Sequence, residues 1–184
     1  ISLRPSGEHA PLRRAAAALG ARVLPVSTIT LQALDAGPAL ATALACPLRV
    51  FTSPAAVRFA ARQAPLRDAP PGTWLAVGGG TAAALRRAGV APVLAPSSGG
   101  DSEALLAMPE LQGMAGREVG LVTAPGGRGL ITEALHQRGA RVHRADVYAR
   151  MPRRPGKATL QALADLPATA ALLVSSGEAF EGLW

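Results

Sequence analysis

Cysteine is almost missing from this 184-residue chain, with Cys46 the lone example. One thiol excludes an intrachain disulfide and leaves no set of sulfur ligands for a metal. The three histidines, His9, His136 and His143, lie at no metal-ligand spacing either, so no metal site is expected. This thiol usage fits a reducing, cytoplasmic compartment. Aromatic residues make up 3%, too few for the stacking platforms of a single-strand nucleic-acid binder. The arginines are scattered rather than striped, so no nucleic-acid partner is expected. No apolar run reaches the roughly 18 residues needed to cross a bilayer, because Pro, Gly or Arg interrupts each one. No membrane association is expected. The chain opens ISLRP, with no Met and no basic-then-apolar leader, so no secretion signal is visible and the first residues are read as absent.

Lysine is nearly missing too, and asparagine entirely, so the net charge of +7, from 19 basic against 12 acidic residues, is carried by arginine. Alanine dominance and the scarcity of isoleucine, found only at 1, 29 and 131, indicate a GC-rich coding bias that accounts for part of the arginine excess. The remaining positive balance suits a polyanionic partner. With 49% hydrophobic and 17% charged residues the chain is globular rather than disordered, and its length accommodates one large domain or two small ones.

Short Val- and Leu-rich runs alternate with Ala/Leu/Arg stretches of helical period, the pattern of an α/β fold with parallel sheets. Strands are predicted at 1–4, 22–26, 48–52, 74–77, 117–123, 140–145 and 170–174, with a weaker one at 92–95. Helices are predicted at 8–19, 54–63, 81–88, 101–108, 128–138, 157–166 and from 178 onward. The segment LRPSGEHAPLRRAAAALGARVLPVSTI (3–29) aligns with VTAPGGRGLITEALHQRGARVHRADVY (122–148), placing Gly20 against Gly139 at an offset of 119. VFTSPAAVRFA (50–60) aligns with LVSSGEAFEGL (173–183), placing Ser53 against Ser176 at an offset of 123. Two matches at nearly one offset indicate two copies of one module. Equal copies would carry the second one about 60 residues past Trp184, so a terminal portion is expected to be missing.

Polar extended segments at 25–34 and 143–153 read as connectors. They divide the chain into a discontinuous lobe of residues 1–26 and 155–184 and a second lobe of 35–145, with 27–34 and 146–154 running between them. Two parallel-sheet α/β lobes of flavodoxin-like or Rossmann-like type, joined by a two-stranded connector, are therefore expected.

Several strands end in a turn that opens a helix: Ser53-Pro54, Gly80-Thr81, Gly126-Gly127 and Ser176-Gly177. Helix N-termini of this kind hold anions through free backbone N–H groups. Ser53, Ala55, Gly80, Thr81, Gly127, Arg128, Ser176 and Gly177 are thus candidate ligand contacts, although Ser and Thr also serve there as plain caps. Arg4, ending the first strand, reads equally as a carboxylate contact or a surface cation. Gly78, Gly80 and Ala83 also satisfy GxGxxA, the phosphate turn of a dinucleotide site. However, the acid that should follow the next strand is missing: the nearest, Asp101, lies in a Ser/Gly loop and reads as the cap of the next helix. Ser102 and Glu103 there read as a cap pair.

FTSPAAV (51–57), AVGGGTAAAL (76–85), PSSGGDSEALL (96–106), GLVTAPGGRGLITEAL (120–135) and ARVHRADVYAR (140–150) occur in an order and spacing that resembles the uroporphyrinogen-III synthase family. The resemblance runs through essentially the whole chain, with the last two βα units of the first lobe lacking. It implies a cytoplasmic, cofactor-free monomer that closes linear hydroxymethylbilane, a substrate with eight carboxylates, into uroporphyrinogen III, losing water and inverting ring D through a spiro intermediate. It further implies that Tyr148, the only tyrosine, assists departure of the hydroxyl. A bilobal, non-catalytic binder of a polyanionic small molecule is the alternative.

Overall fold

The structure, a computed structural model, describes residues 1–126, 129–174 and 177–182. It divides into two compact units: Ile1–Gln32 with Arg150–Trp184, and Ala33–Ala149. In chain order the elements are α1 (Ala10–Ala17), β1 (Ile29–Ala33), α2 (Gly37–Ala45), β2 (Leu48–Phe51), α3 (Pro54–Ala61), β3 (Thr73–Ala76), α4 (Gly79–Arg87), α5 (Ser102–Leu106), β4 (Glu118–Thr123), α6 (Leu130–Gln137), β5 (Arg141–Asp146), β6 (Tyr148–Pro152), α7 (Lys157–Ala164) and α8 (Gly177–Glu181). β1 and β6, which carry the two chain crossings between the units, pair as a two-stranded ribbon.

The discontinuous unit is organised around Ser2, which bridges Pro25 on one side and Leu173 on the other, both in parallel. The strands predicted at 1–4, 22–26 and 170–174 are thus reduced to single bridges. Pro25 has no N–H to extend a ladder, and Pro5 closes the first segment. Leu3, Val26, Ile29 and Ala179 form its small core, with Leu24, Leu31 and Leu163 packed against it.

The continuous unit is built on a four-stranded parallel sheet in the order β3-β2-β4-β5. β2 lies in register between β3 (Val50 opposite Leu75) and β4 (Val50 opposite Leu121). Leu94, between Pro92 and Pro96, bridges Leu75 and is all that forms of the weak strand expected at 92–95. Strands covered on both faces read as continuous apolar runs, and β2 is buried at all four positions. Leu48, Val50, Leu75, Val119 and Leu121 pack against Leu105 and Leu106 of α5 and Ile131 and Leu135 of α6. Each such side chain contributes about 1.5–3 kcal/mol of burial. On the other face α2 presses against β4: a Cβ on Gly120 would land on the Ala43 carbonyl oxygen.

α2 was not predicted. Its sequence, GPALATALA, has no charged residue to mark a solvent face, so no 3.6-residue contrast is visible. α5 is shorter than predicted because Met108 precedes Pro109, and a residue before proline avoids the helical region.

Arg49, in the middle of β2, is wholly buried. Its Nε donates to the Leu44 carbonyl at 2.7 Å and Nη2 to the Pro70 carbonyl at 2.6 Å, while the guanidinium lies 4.7 Å over the Trp74 ring. Burial pushes its pKa down from the usual arginine value. A lysine cannot reproduce the planar fork or the stacking. We expect Arg49→Lys to lower stability by about 2 kcal/mol, read as a lower urea midpoint at unchanged slope.

Candidate functional site at the β2–β4 switch point

Within the continuous unit the chain runs from β2 to β3 on one side of the sheet and then to β4 on the other. The connections leaving the carboxyl ends of β2 and β4 therefore diverge and open a crevice, the place where open parallel sheets hold ligands. The polar side chains there are Thr52 and Ser53, just past β2, and Thr123, the last residue of β4. The Thr52 N–H extends the ladder to the Val122 carbonyl at 3.2 Å, and the Thr52 and Thr123 hydroxyls share a hydrogen bond of 2.7 Å.

Ser53 is extended and caps α3, its Oγ accepting from the Ala56 N–H at 3.0 Å. The same hydroxyl is 3.1 Å from the Tyr148 Oη, a contact between residues 95 positions apart. Tyr148 is held there from both sides. Its ring stacks on Phe59 of α3 at 5.3 Å between centroids. The preceding residue, Val147, donates its N–H to the Thr123 carbonyl at 3.0 Å and accepts from the Leu34 N–H at 3.2 Å. Tyr148 is only 3% exposed, so it is packed within the protein rather than standing free in solvent.

Two helices open beside this point. In α3, Pro54 has no N–H, while the Ala56 and Val57 N–H groups bond to Ser53. This leaves Ala55 as the first-turn donor with no partner among the described residues. α4 begins at Gly79, two residues earlier than predicted. The Thr81 and Ala82 N–H groups both bond to the Gly78 carbonyl, so the Gly79 and Gly80 N–H groups form the open end of this helix. Gly80 faces Pro54, a Cβ there lying 3.7 Å from the proline Cγ, which sets the two helix starts side by side. The Thr81 side chain is buried at 2% exposure, so the turn presents backbone rather than hydroxyl.

The GxGxxA reading finds another explanation. A Cβ on Gly78 would come within 2.9 Å of the Gly100 Cα, so that glycine admits a neighbouring loop of the same chain. Asp101 accepts from the Ala104 N–H at 2.8 Å. It, and not Ser102, is therefore the cap of α5.

Of the remaining predicted site residues, Gly127, Arg128 and Ser176 lie outside the described residues. Arg4 and Gly177 belong to the discontinuous unit: the Arg4 Nε donates to the Glu8 carbonyl at 2.9 Å, and Gly177 opens α8. Ser53, Ala55, Gly80 and Tyr148 are the predicted residues that come together around the switch point. Sequence reasoning passed over Thr52, Thr123 and Phe59. The matching VFTS (50–53) and LVTA (121–124) segments, each with a threonine at the third position, were the available signal. Among the described residues no group of three His, Cys, Asp or Glu side chains could hold a metal ion, and no helix is long and apolar enough to cross a membrane.

His9, in the discontinuous unit, is buried and bonded at both nitrogens, to Ser2 Oγ at 3.1 Å and to Ser27 Oγ at 2.7 Å. Burial first, then the charges of Arg13 and Arg4, lower its pKa below the usual 6.5 against the opposing effect of Glu8. The folded chain thus binds fewer protons than the unfolded one, so this contribution to stability is complete above about pH 6.5 and is lost as pH falls below it. Urea midpoints should fall between pH 7 and pH 5, and His9→Gln should flatten that decline.

The model of the family described as uroporphyrinogen-III synthase HemD matches residues 10–184. The uroporphyrinogen-III synthase of Salmonella typhimurium is 34% identical over 111 residues, 60% of this chain and 45% of that protein. Its Escherichia coli counterpart is 33% identical over the same shares. The chain therefore matches about half the length of these curated relatives. Among solved structures, a mutant uroporphyrinogen III synthase of Thermus thermophilus superposes with a TM-score of 0.60 at 24% identity, covering 83% of this chain and 62% of that one. The wild-type protein gives 0.51 at 23%, covering 83% and 61%. At that identity the likeness establishes the fold, two α/β lobes included. By the match over nearly all its length, this chain belongs to the uroporphyrinogen-III synthase family.

Proposed function

We propose that the protein cyclises hydroxymethylbilane to uroporphyrinogen III as a cytoplasmic, monomeric, cofactor-independent lyase. Family membership and the names of the curated relatives support this reading. The observation in the chain itself that carries it is the hydrogen bond between Tyr148 and Ser53 at the carboxyl end of β2. Loss of the terminal hydroxyl is driven by the adjacent pyrrole nitrogen, which pushes the C–O electron pair onto oxygen and leaves an azafulvene cation. The oxygen leaves as water once it gains a proton. Tyr148 donates a hydrogen bond to that oxygen, while Ser53 donates to the phenol oxygen and steadies the charge that grows there.

The open N–H groups of Ala55, Gly79 and Gly80 hold carboxylate arms, aided by the helix dipoles. The net charge of +7 draws in a substrate of eight carboxylates, with an attraction that weakens as salt is added. Gly127, Arg128, Ser176, Gly177 and Arg4 are proposed as further contacts on the resemblance alone. The enzyme's main task is orientation: ring D must be turned so that its substituted carbon attacks the cation, forming the spiro intermediate whose fragmentation and reclosure invert the ring. Incubation with hydroxymethylbilane followed by separation of the isomers tests the proposal. Type III is expected, whereas formation of the symmetric type I isomer alone would identify a binder without synthase activity.

A further inference from the structure

The discontinuous unit contains a cavity of about 230 Å³ whose lining includes Ser6, His9, Ser27, Arg153 and Thr159. That is several times the roughly 30 Å³ taken by one water molecule. The cavity's hydrogen-bonding sense is fixed. The Ser27 hydroxyl donates its only hydrogen to the Arg4 carbonyl at 3.0 Å, so its oxygen accepts from His9 Nε2 at 2.7 Å. His9 is therefore the Nε2–H tautomer, with Nδ1 accepting from the Ser2 hydroxyl. Arg153 Nη1 donates to Ser6 Oγ at 2.8 Å.

The backbone on both sides is pinned as well: the Arg153 N–H donates to the Thr28 carbonyl at 2.7 Å and the Ser6 N–H to the Ile29 carbonyl at 2.9 Å. Among the described residues no acidic side chain lines the cavity, and Arg153 is the only arginine or lysine that does. Arg153 has no ion-pair partner among the described residues. The lining thus presents a guanidinium and hydroxyls on a fixed frame, with one positive charge to neutralise.

We infer that this cavity is a carboxylate pocket that takes one arm of the polycarboxylate substrate, with Arg153 as the charge partner and the Ser6 and Thr159 hydroxyls as donors. A single cation matches a singly charged carboxylate better than a phosphate dianion. This inference rests on the proposed substrate, but its binding test does not. The His9 ring proton, followed by NMR, should shift saturably as sodium propionate is added at constant ionic strength, and not with chloride or inorganic phosphate. Arg153→Gln should weaken the propionate response about tenfold. Arg154→Gln, the same charge change on an exposed neighbour outside the lining, should leave it intact.

With hydroxymethylbilane as substrate, Arg153→Gln should raise KM about tenfold with a smaller change in kcat, and Arg153→Lys should recover part of that loss. No propionate response, a response to phosphate instead, or equal effects of the two Gln variants would overturn the inference. A saturable propionate response in a protein that makes no type III isomer would leave the pocket standing and overturn the substrate reading.

Discussion

Tyr148→Phe is expected to lower kcat for hydroxymethylbilane about 100-fold, the lower end of what one positioned proton donor contributes, while leaving the fold in place. The phenyl ring keeps its stack on Phe59 at 5.3 Å, and the neighbouring Val147 keeps its two backbone bonds. What disappears is the hydroxyl 3.1 Å from Ser53, worth about 1 kcal/mol to stability. A large drop in kcat with a urea midpoint close to wild type would assign the hydroxyl to the reaction. Unchanged turnover would make Tyr148 a packing residue and leave orientation by the helix starts as the whole of catalysis. Substrate KM should change little, because the phenol is proposed to act on the departing oxygen.

The largest expected effect on stability is at Gly120. Its neighbours Val119 and Leu121 face the α5–α6 core, and Gly120 itself lies under α2, where an added methyl would meet the carbonyl of Ala43 and lie 2.9 Å from its Cα. Backbone cannot give way as a side-chain tip can. Gly120→Ala must push α2 off β4 or distort the central sheet. A loss of about 3 kcal/mol or more is expected, read by denaturant unfolding. Gly37→Ala, at the start of the same helix, adds a methyl whose closest neighbour is Asp35 Oδ1 at 3.7 Å and should stay within about 1 kcal/mol of wild type. Equal effects at the two sites would mean that α2 is not seated against the sheet.

These two positions differ in how far the sequence alone could have found them. β2, β3 and β4 lie within a residue of their predicted ranges because strands covered on both faces read as largely apolar runs, whereas β5, an edge strand of sequence RVHRAD, is half-exposed and was placed by the repeated GARV segment instead. Gly120, by contrast, looks like a weak point in β4 until α2 is known, and α2 carries no polar face to reveal it. Arg49 is invisible for a related reason. A lone arginine in an apolar strand gives no sign that two distant carbonyls and an indole ring will receive it.

At the candidate site the turns themselves were legible, since Ser before Pro and Gly before Thr mark helix starts by local chemistry. Their use was less so. Thr81 was expected as a contact, yet its side chain is buried. Thr52 and Thr123 become a pair only through the register of β2 and β4. The approach of Tyr148 to Ser53 is a tertiary event across 95 residues that no local pattern encodes, although the resemblance pointed to the tyrosine.

The central claim is that the polycarboxylate lies at the β2–β4 switch point, gripped by the starts of α3 and α4. Backbone amide NMR with uroporphyrin III, the stable oxidised form of the proposed product, tests it most directly. The account predicts saturable shifts centred on Thr52, Ala55, Gly79, Gly80 and Thr123, with the amides of Gly72 and Thr73 at the opposite end of the sheet unmoved. Shifts confined to that opposite end, or none at all at saturating ligand, would contradict it.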